Sequence, residues 1–178
     1  AQEAPPAIIS IYLGDELTAI IDSIVDDTNY TDRVKGALRI GVDVLPTIPQ
    51  DTTDRNRTSP FAFTGNKFEF RSLGSSQSIA SPNIVLNTIM ADTLGRYADR
   101  LEKAENFEQA LHDLIRSSLT AHRRILFGGN GYEQAWVDEA ARRGLSNLPS
   151  TADALPTYIL PKNVDLMVRN GVLSREEM

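Results

Sequence analysis

Ten residues, FAFTGNKFEF from Phe61 to Phe70, constrain the fold of this chain more than any other stretch. Two short runs in which phenylalanine alternates with small or charged residues flank Gly65 and Asn66. Glycine in the first position of a two-residue loop is what a type II′ hairpin turn requires. Such a turn sets the register: Thr64 lies opposite Lys67, Phe63 opposite Phe68, Ala62 opposite Glu69 and Phe61 opposite Phe70. Because side chains alternate across a strand, the phenylalanines then share one face. The other face carries Lys67, Glu69 and Arg71, spaced about 6.5 to 7 Å apart along one strand. Beside them stand only Thr64, Ala62 and Pro60, small enough to leave room for a ligand.

This charged stripe has two readings. It suits a solvated hairpin surface on which Glu69 is bracketed by two cations, an arrangement worth roughly 0.2 to 1 kcal/mol. It also suits an anion-binding site, with Lys67 as a point charge for phosphate, Arg71 as a planar fork for a carboxylate, and Glu69 as a hard oxygen ligand for Mg or Mn. One carboxylate cannot hold a metal alone, so the remaining ligands are expected from outside this chain. Arg55 and Arg57 precede the hairpin in a polar loop, either as exposed charges or as a phosphate clamp.

Around the hairpin, hydrophobic spacing predicts an α+β chain, with β structure before residue 75 and helices after it. Leu17, Ile20, Ile21, Ile24 and Val25 predict a short amphipathic helix capped by Asp15. Leu38, Ile40, Val42 and Val44 alternate as a strand ending at Pro46, and Thr47 to Ser59 read as a loop. A helix is expected to open at Ser81 and Pro82 with Leu86, Met90, Leu94, Tyr97 and Leu101 on one face. A longer one is expected from Asn106 to Phe127, a third from Gly131 to Arg143 around Trp136, and a fourth from Lys162 to Asn170. Trp136 reads as a core anchor, and His112 and His122 as packing or surface residues. Ser174 and Glu177 form a capping box with no helix after it. The chain is therefore expected to be truncated there, and its start at Ala1 to be equally abrupt.

Composition narrows the functional classes. The 178 residues, 41% hydrophobic, suffice for one sizeable core. Eighteen Lys and Arg against 24 Asp and Glu leave a net charge of −6, without a basic stripe for nucleic acid. No apolar run reaches the roughly 18 to 20 residues of a membrane span, and AQEAPPAII lacks the pattern of a signal peptide. A cytoplasmic location is expected. The chain has no cysteine and two histidines, which excludes thiolate chemistry and leaves carboxylates as the basis for any metal.

The run RNRTSPFAFTGNKFEFR (Arg55 to Arg71), followed by SSQSIASPNIVLNTIMAD, resembles the C-terminal part of the glutamine synthetase catalytic domain, specifically the bacterial type III class. EAPP at Glu3 to Pro6 is similar to that family's active-site flap, and NGYEQAWVDEAARRGLSNLPSTADALP to its C-terminal region, so the likeness covers nearly the whole chain. The resemblance implies that residues 1–103 are part of the catalytic domain, with the flap at 1–7, an insertion at 8–54, the active-site hairpin at 55–73 and a helix at 81–101. Residues 104–178 would form a helical C-terminal region. Glu3 would close the site and take a proton as ammonium becomes ammonia. Arg57 would contact the phosphates and stabilise charge in phosphoryl transfer, Lys67 would serve the nucleotide, Glu69 would ligate the metal, and Arg71 would bind the carboxylate of glutamate. Ala62 stands about where the family has a further arginine, for which Arg55 could compensate.

The resemblance therefore implies an ATP-dependent glutamate–ammonia ligase using Mg or Mn, built as a ring-shaped homo-oligomer, a dodecamer by resemblance. The isolated chain is expected to be inactive. The competing readings are a related γ-glutamyl-amine ligase and a noncatalytic interaction or assembly module.

Overall fold

The computed structural model describes residues 8–30, 37–38, 48–49, 56–72, 74 and 76–178; of 37–38 and 48–49 only the backbone pairing is considered. Glu3 and Arg55 therefore lie outside the described residues, as do the flap and most of the strand expected over 38–44. The chain is α+β and divides into two units, one formed by residues 1–72 and 116–146, the other by 73–115 and 147–178.

The first unit is organised on a three-stranded sheet in the order β1-β4-β5. Strand β4 (Phe61–Phe63) is central. It pairs antiparallel with β5 (Phe68–Phe70) in the register Phe61 to Phe70, Ala62 to Glu69 and Phe63 to Phe68, as the turn chemistry requires. Gly65 has φ 88° and Asn66 is not among the positive-φ residues, the combination expected of a type II′ turn. On its other side β4 pairs in parallel with β1 (Ile11–Tyr12), matching Ile11 to Phe61 and Tyr12 to Ala62. Beyond β1 the chain returns once more: Leu126 forms a parallel bridge with Ile11, and the Phe127 N–H donates to the Ile11 carbonyl at 3.0 Å.

Helix α1 (Asp15–Asp26) lies within the β1 to β4 connection. Its N-cap is Gly14 rather than the expected Asp15, which sits in the first turn beside Glu16, where carboxylates favour the positive end of the helix dipole. Part of the expected 47–59 loop is a strand: β2 (Ala37–Leu38) and β3 (Ile48–Pro49) pair antiparallel, with Pro49 opposite Ala37. A two-stranded ribbon has only edges, which tolerate a proline.

The core of this unit is built on Trp136, Ala140 and Ile8, with Phe127, Val137 and Leu145 packed against them. Trp136 lies in α4 (Gln134–Arg142), and Phe127 stacks on it with ring centroids 3.8 Å apart. Arg143 stacks its guanidinium over the indole at 5.5 Å and donates through Nη1 to the Leu126 carbonyl at 2.9 Å. These contacts explain a correction to the long second helix. α3 (Phe107–His122) gives way to a 3₁₀ turn at Arg123–Ile125, because Leu126 and Phe127 are drawn out to meet Ile11 and Trp136. His122, expected on the apolar face, is exposed in the last helical turn, and His112 is exposed as well.

In the second unit, α2 (Ala80–Glu102) begins after Ile79, not at Ser81; the Ser78 hydroxyl accepts from the Ala80 N–H at 3.2 Å. Its expected apolar stripe is only partly enclosed: Thr88 is buried, its hydroxyl turned onto the Ile84 carbonyl at 2.7 Å, while Met90 and Leu94 are exposed. A short α5 (Thr151–Ala154), capped by Ser150, was not legible in the sequence. α6 (Pro161–Arg169) opens on a proline one residue before the expected Lys162 and buries Val164 and Met167. Its end is fastened to α2: Arg169 donates to both Asp92 carboxylate oxygens at 2.6 and 2.8 Å, and Asn170 adds a third bond at 3.1 Å. Those bonds hold the Asp92 carboxyl well below the usual carboxylate range. The capping box at Ser174 and Glu177 forms in both directions, at 2.7 and 3.3 Å.

Replacing Trp136 with Ala removes the ring on which Phe127, Ile8 and Arg143 converge, and should cost about 3 to 5 kcal/mol by denaturant unfolding followed by far-ultraviolet circular dichroism. A second expectation concerns pH. Hydrogen bonds from Arg142, then Arg143, lower the Glu139 carboxyl from its ordinary 4.5 to about 2. A depressed folded-state value means that its contribution is present above pH 4.5 and lost as pH falls toward 2. Glu139→Gln should therefore flatten the stability profile in that window, with little change in its shape above it.

Candidate functional site

The hairpin turns its charged stripe and its aromatic set to opposite faces, but exposure is distributed unlike that of an ordinary surface hairpin. Phe61 stacks on Phe68 at 5.5 Å and meets Phe70 at 6.0 Å, yet Phe68 and Phe70 remain 49% and 38% exposed. On the charged face the Arg71 and Glu69 side chains are only 21% and 27% exposed, and Lys67 is 64% exposed. The space expected beside Pro60 and Ala62 is filled, since both are buried. Central position in the sheet accounts for this: Ala62 is flanked by Tyr12 on one side and Glu69 on the other. The open end of the stripe is at Thr64 and Lys67.

Within the stripe the charges are already ordered. Arg71 Nη2 donates to Glu69 Oε2 at 3.0 Å, and Lys67 Nζ lies 3.8 Å from Glu69 Oε1. Arg71 Nη1 donates to the Asn56 carbonyl at 2.7 Å, which ties the stripe to the preceding Arg-Asn-Arg loop. A guanidinium carries five N–H donors, of which these bonds use two. The structure thus brings Lys67, Glu69 and Arg71 together and places Arg57 on the adjoining loop, exposed to solvent.

Four residues that the sequence did not flag hold this loop. Asn56 Nδ2 donates to the Gly129 carbonyl at 2.9 Å, while its Oδ1 accepts from the N–H and hydroxyl of Thr58 at 2.9 and 2.7 Å. Thr58 Oγ1 in turn accepts from the Gly131 N–H at 2.7 Å. The polar Asn-Arg-Thr run and the Gly-Gly-Asn-Gly run are visible in the sequence, but nothing local says that they meet.

A separate groove of about 350 Å³ runs along α1 and is lined by Asp15, Asp22 and Asp26. Its acidic wall is the wrong sign for a phosphorylated or dicarboxylic ligand. Arg123 also answers two of these carboxylates, at 2.8 Å from Asp22 and 3.5 Å from Asp26. Among the described residues no group of three or more His, Asp or Glu is placed to hold a metal, and no helix is long and apolar enough to cross a membrane.

Comparison with known sequences gives this geometry its context. Residues 110–178 match the family described as glutamine synthetase C-terminal domain. The whole chain is 46% identical to the type-3 glutamine synthetase of Dictyostelium discoideum. Its sequence relationship is to type-3 glutamine synthetase. It is also 40% identical over its full length to a glutamine synthetase of Bacteroides fragilis, and 38% identical over 99% of its length to one of Butyrivibrio fibrisolvens. The chain spans about a quarter of the length of each of these curated relatives, 25% in every case. The resemblance carried by the hairpin, the flap motif and the C-terminal run is borne out at the level of the family.

The turn on which the site's register depends is testable by itself. Gly65→Ala places a Cβ at φ 88° and should destabilise the chain by about 1 kcal/mol, read as a lower midpoint in thermal unfolding.

Proposed function

We propose that this segment supplies one wall of the substrate site of an ATP-dependent glutamate–ammonia ligase. The observation that carries the reading is the Lys67, Glu69 and Arg71 stripe, partly buried and prearranged on a hairpin in a chain similar throughout to glutamine synthetases. In this reading residues 1–103 belong to the catalytic domain and 104–178 to a helical C-terminal region. The full-length protein is a cytoplasmic, ring-shaped homo-oligomer, a dodecamer, and these 178 residues alone have no ligase activity.

Each side chain then has a task that its chemistry suits. Lys67, the most exposed of the three, offers a mobile point charge to the nucleotide phosphates. Arg57, with Arg55, contacts the same phosphates and offsets charge that grows as the phosphoryl group moves. Arg71, fixed by Asn56 and Glu69, presents its planar fork to the carboxylate of glutamate. The γ-carboxylate attacks the terminal phosphorus of ATP, ADP leaves, and ammonia then displaces phosphate from the resulting γ-glutamyl phosphate. Glu3 accepts the proton that ammonium gives up. Groups oriented before the reaction cost little reorganisation during it, which is the main source of rate in such chemistry.

A divalent cation, Mg or Mn, fits Glu69 in donor type, because a partly exposed carboxylate is a hard oxygen ligand. The fit is that of one ligand in a set, with the other donors outside the described residues. When bound, such an ion neutralises phosphate charge.

Phosphate release from ATP by the full-length protein, with glutamate, ammonium and metal omitted in turn, tests the reading. Release should require all three, and Glu69→Ala should lower turnover by about 10²- to 10³-fold. Arg71→Ala should chiefly raise the KM for glutamate; an unchanged value removes that assignment. Release that ignores ammonium and responds to another amine would point to a related γ-glutamyl-amine ligase.

A further inference from the structure

Arg57 is exposed, so the position of its charge depends on the backbone that carries it. That backbone is pinned on both sides. Asn56 reaches the Gly129 carbonyl and offers its own carbonyl to Arg71, while Thr58 accepts the Gly131 N–H. Asn56 and Thr58 are also bonded to each other across Arg57, at 2.9 and 2.7 Å. Gly131 is not among the positive-φ glycines, so its conformation does not call for glycine. Space does: a Cβ there would stand 2.7 Å from the Thr58 carbonyl oxygen and 3.3 Å from its hydroxyl.

We propose that Thr58 and Gly131, together with Asn56, are positioning residues for the phosphate-binding cation Arg57, and that the 128–131 loop sets where that charge stands. The inference rests on the reading of Arg57 as a nucleotide contact. Its physical basis is preorganisation. A long cation on an unrestrained loop must be ordered when the nucleotide binds, whereas one on a doubly pinned backbone is ordered beforehand. Small displacements of such a group are costly, since about 1 Å of misplacement can lower rates by roughly 10²-fold. The contact also links sequence regions of separate character, an Arg-Asn-Arg-Thr loop and a glycine loop between α3 and α4.

The test uses the full-length protein and four variants: Thr58→Val, which keeps the shape and removes the hydroxyl that accepts from Gly131 and donates to Asn56; Thr58→Ser, which restores it; Gly131→Ala; and Arg57→Ala. Thr58→Val and Gly131→Ala should each raise the KM for ATP by about 10-fold, with a smaller effect on the KM for glutamate, and Thr58→Ser should stay near the parent value. Amide exchange at Gly131 should quicken in Thr58→Val without nucleotide present. If Arg57→Ala raises the KM for ATP and Thr58→Val does not, the positioning role is overturned while Arg57 keeps its own. If Arg57→Ala has no effect, the nucleotide role of Arg57 fails and this proposal with it. Equal losses in Thr58→Ser and Thr58→Val, or failure of both Thr58→Val and Gly131→Ala to fold, would mark the contact as structural and overturn the proposal.

Discussion

The parallel pairing of Ile11 and Tyr12 with Phe61 and Ala62 is the constraint on which the first unit depends. Parallel neighbours cannot be joined by a tight turn, so the intervening chain must leave the sheet and return, and α1 lies within that crossover. The pairing makes β4 the central strand and seals Ala62 between its neighbours. It leaves β5, with Glu69 beside the antiparallel partner and Lys67 near the turn, as the edge that can meet a ligand. On the far side of β1, Leu126 and Phe127 complete the arrangement and deliver Phe127 to Trp136. One strand register thus connects the hairpin, the start of the described chain and the aromatic core.

The electrostatics of the hairpin follow from that burial. Arg71 and Glu69 lie in a partly dried setting where an unpaired charge is costly, and each is satisfied by a named partner. Lys67, 3.8 Å from Glu69, stays largely in water, where a cation costs little to keep. The result is a graded stripe, from a doubly bonded fork at Arg71 to an exposed ammonium at Lys67. Such a gradation suits one ligand group that needs orientation and another that needs only charge.

How far this was legible depends on the range of the forces involved. The hairpin register could be written from Gly65 and Asn66 alone, because a two-residue turn leaves no other alignment. The end of α6 at Asn170 and Gly171 was equally plain, since glycine is the residue that takes φ 65° without strain. α3 was read too long because residues 123–127 continue a helical pattern, and only the pull of Ile11 and Trp136 unwinds it. Met90 and Leu94 fall on the expected apolar face of α2 yet stand exposed, since periodicity reports an apolar face and not what covers it. Lys67, Glu69 and Arg71 could be placed on one face from the turn, whereas Asn56, Thr58, Gly129 and Gly131 carry no local signature. Glu3 and Arg55 stand on motif alone.

By itself the sequence determined what neighbours along the chain can settle between them: the α+β order, the hairpin and its two faces, the caps at Ser174 and Gly171, and the likeness to type-3 glutamine synthetase. Tertiary structure decided which of those faces is buried, where α3 stops, and how the Arg57 loop is held. The division is physical. Turns, caps and strand alternation are short-range sterics and hydrogen bonding, fixed within a few residues, while the Asn56–Gly129 and Thr58–Gly131 bonds join positions 73 residues apart and exist only once the sheet has brought them together.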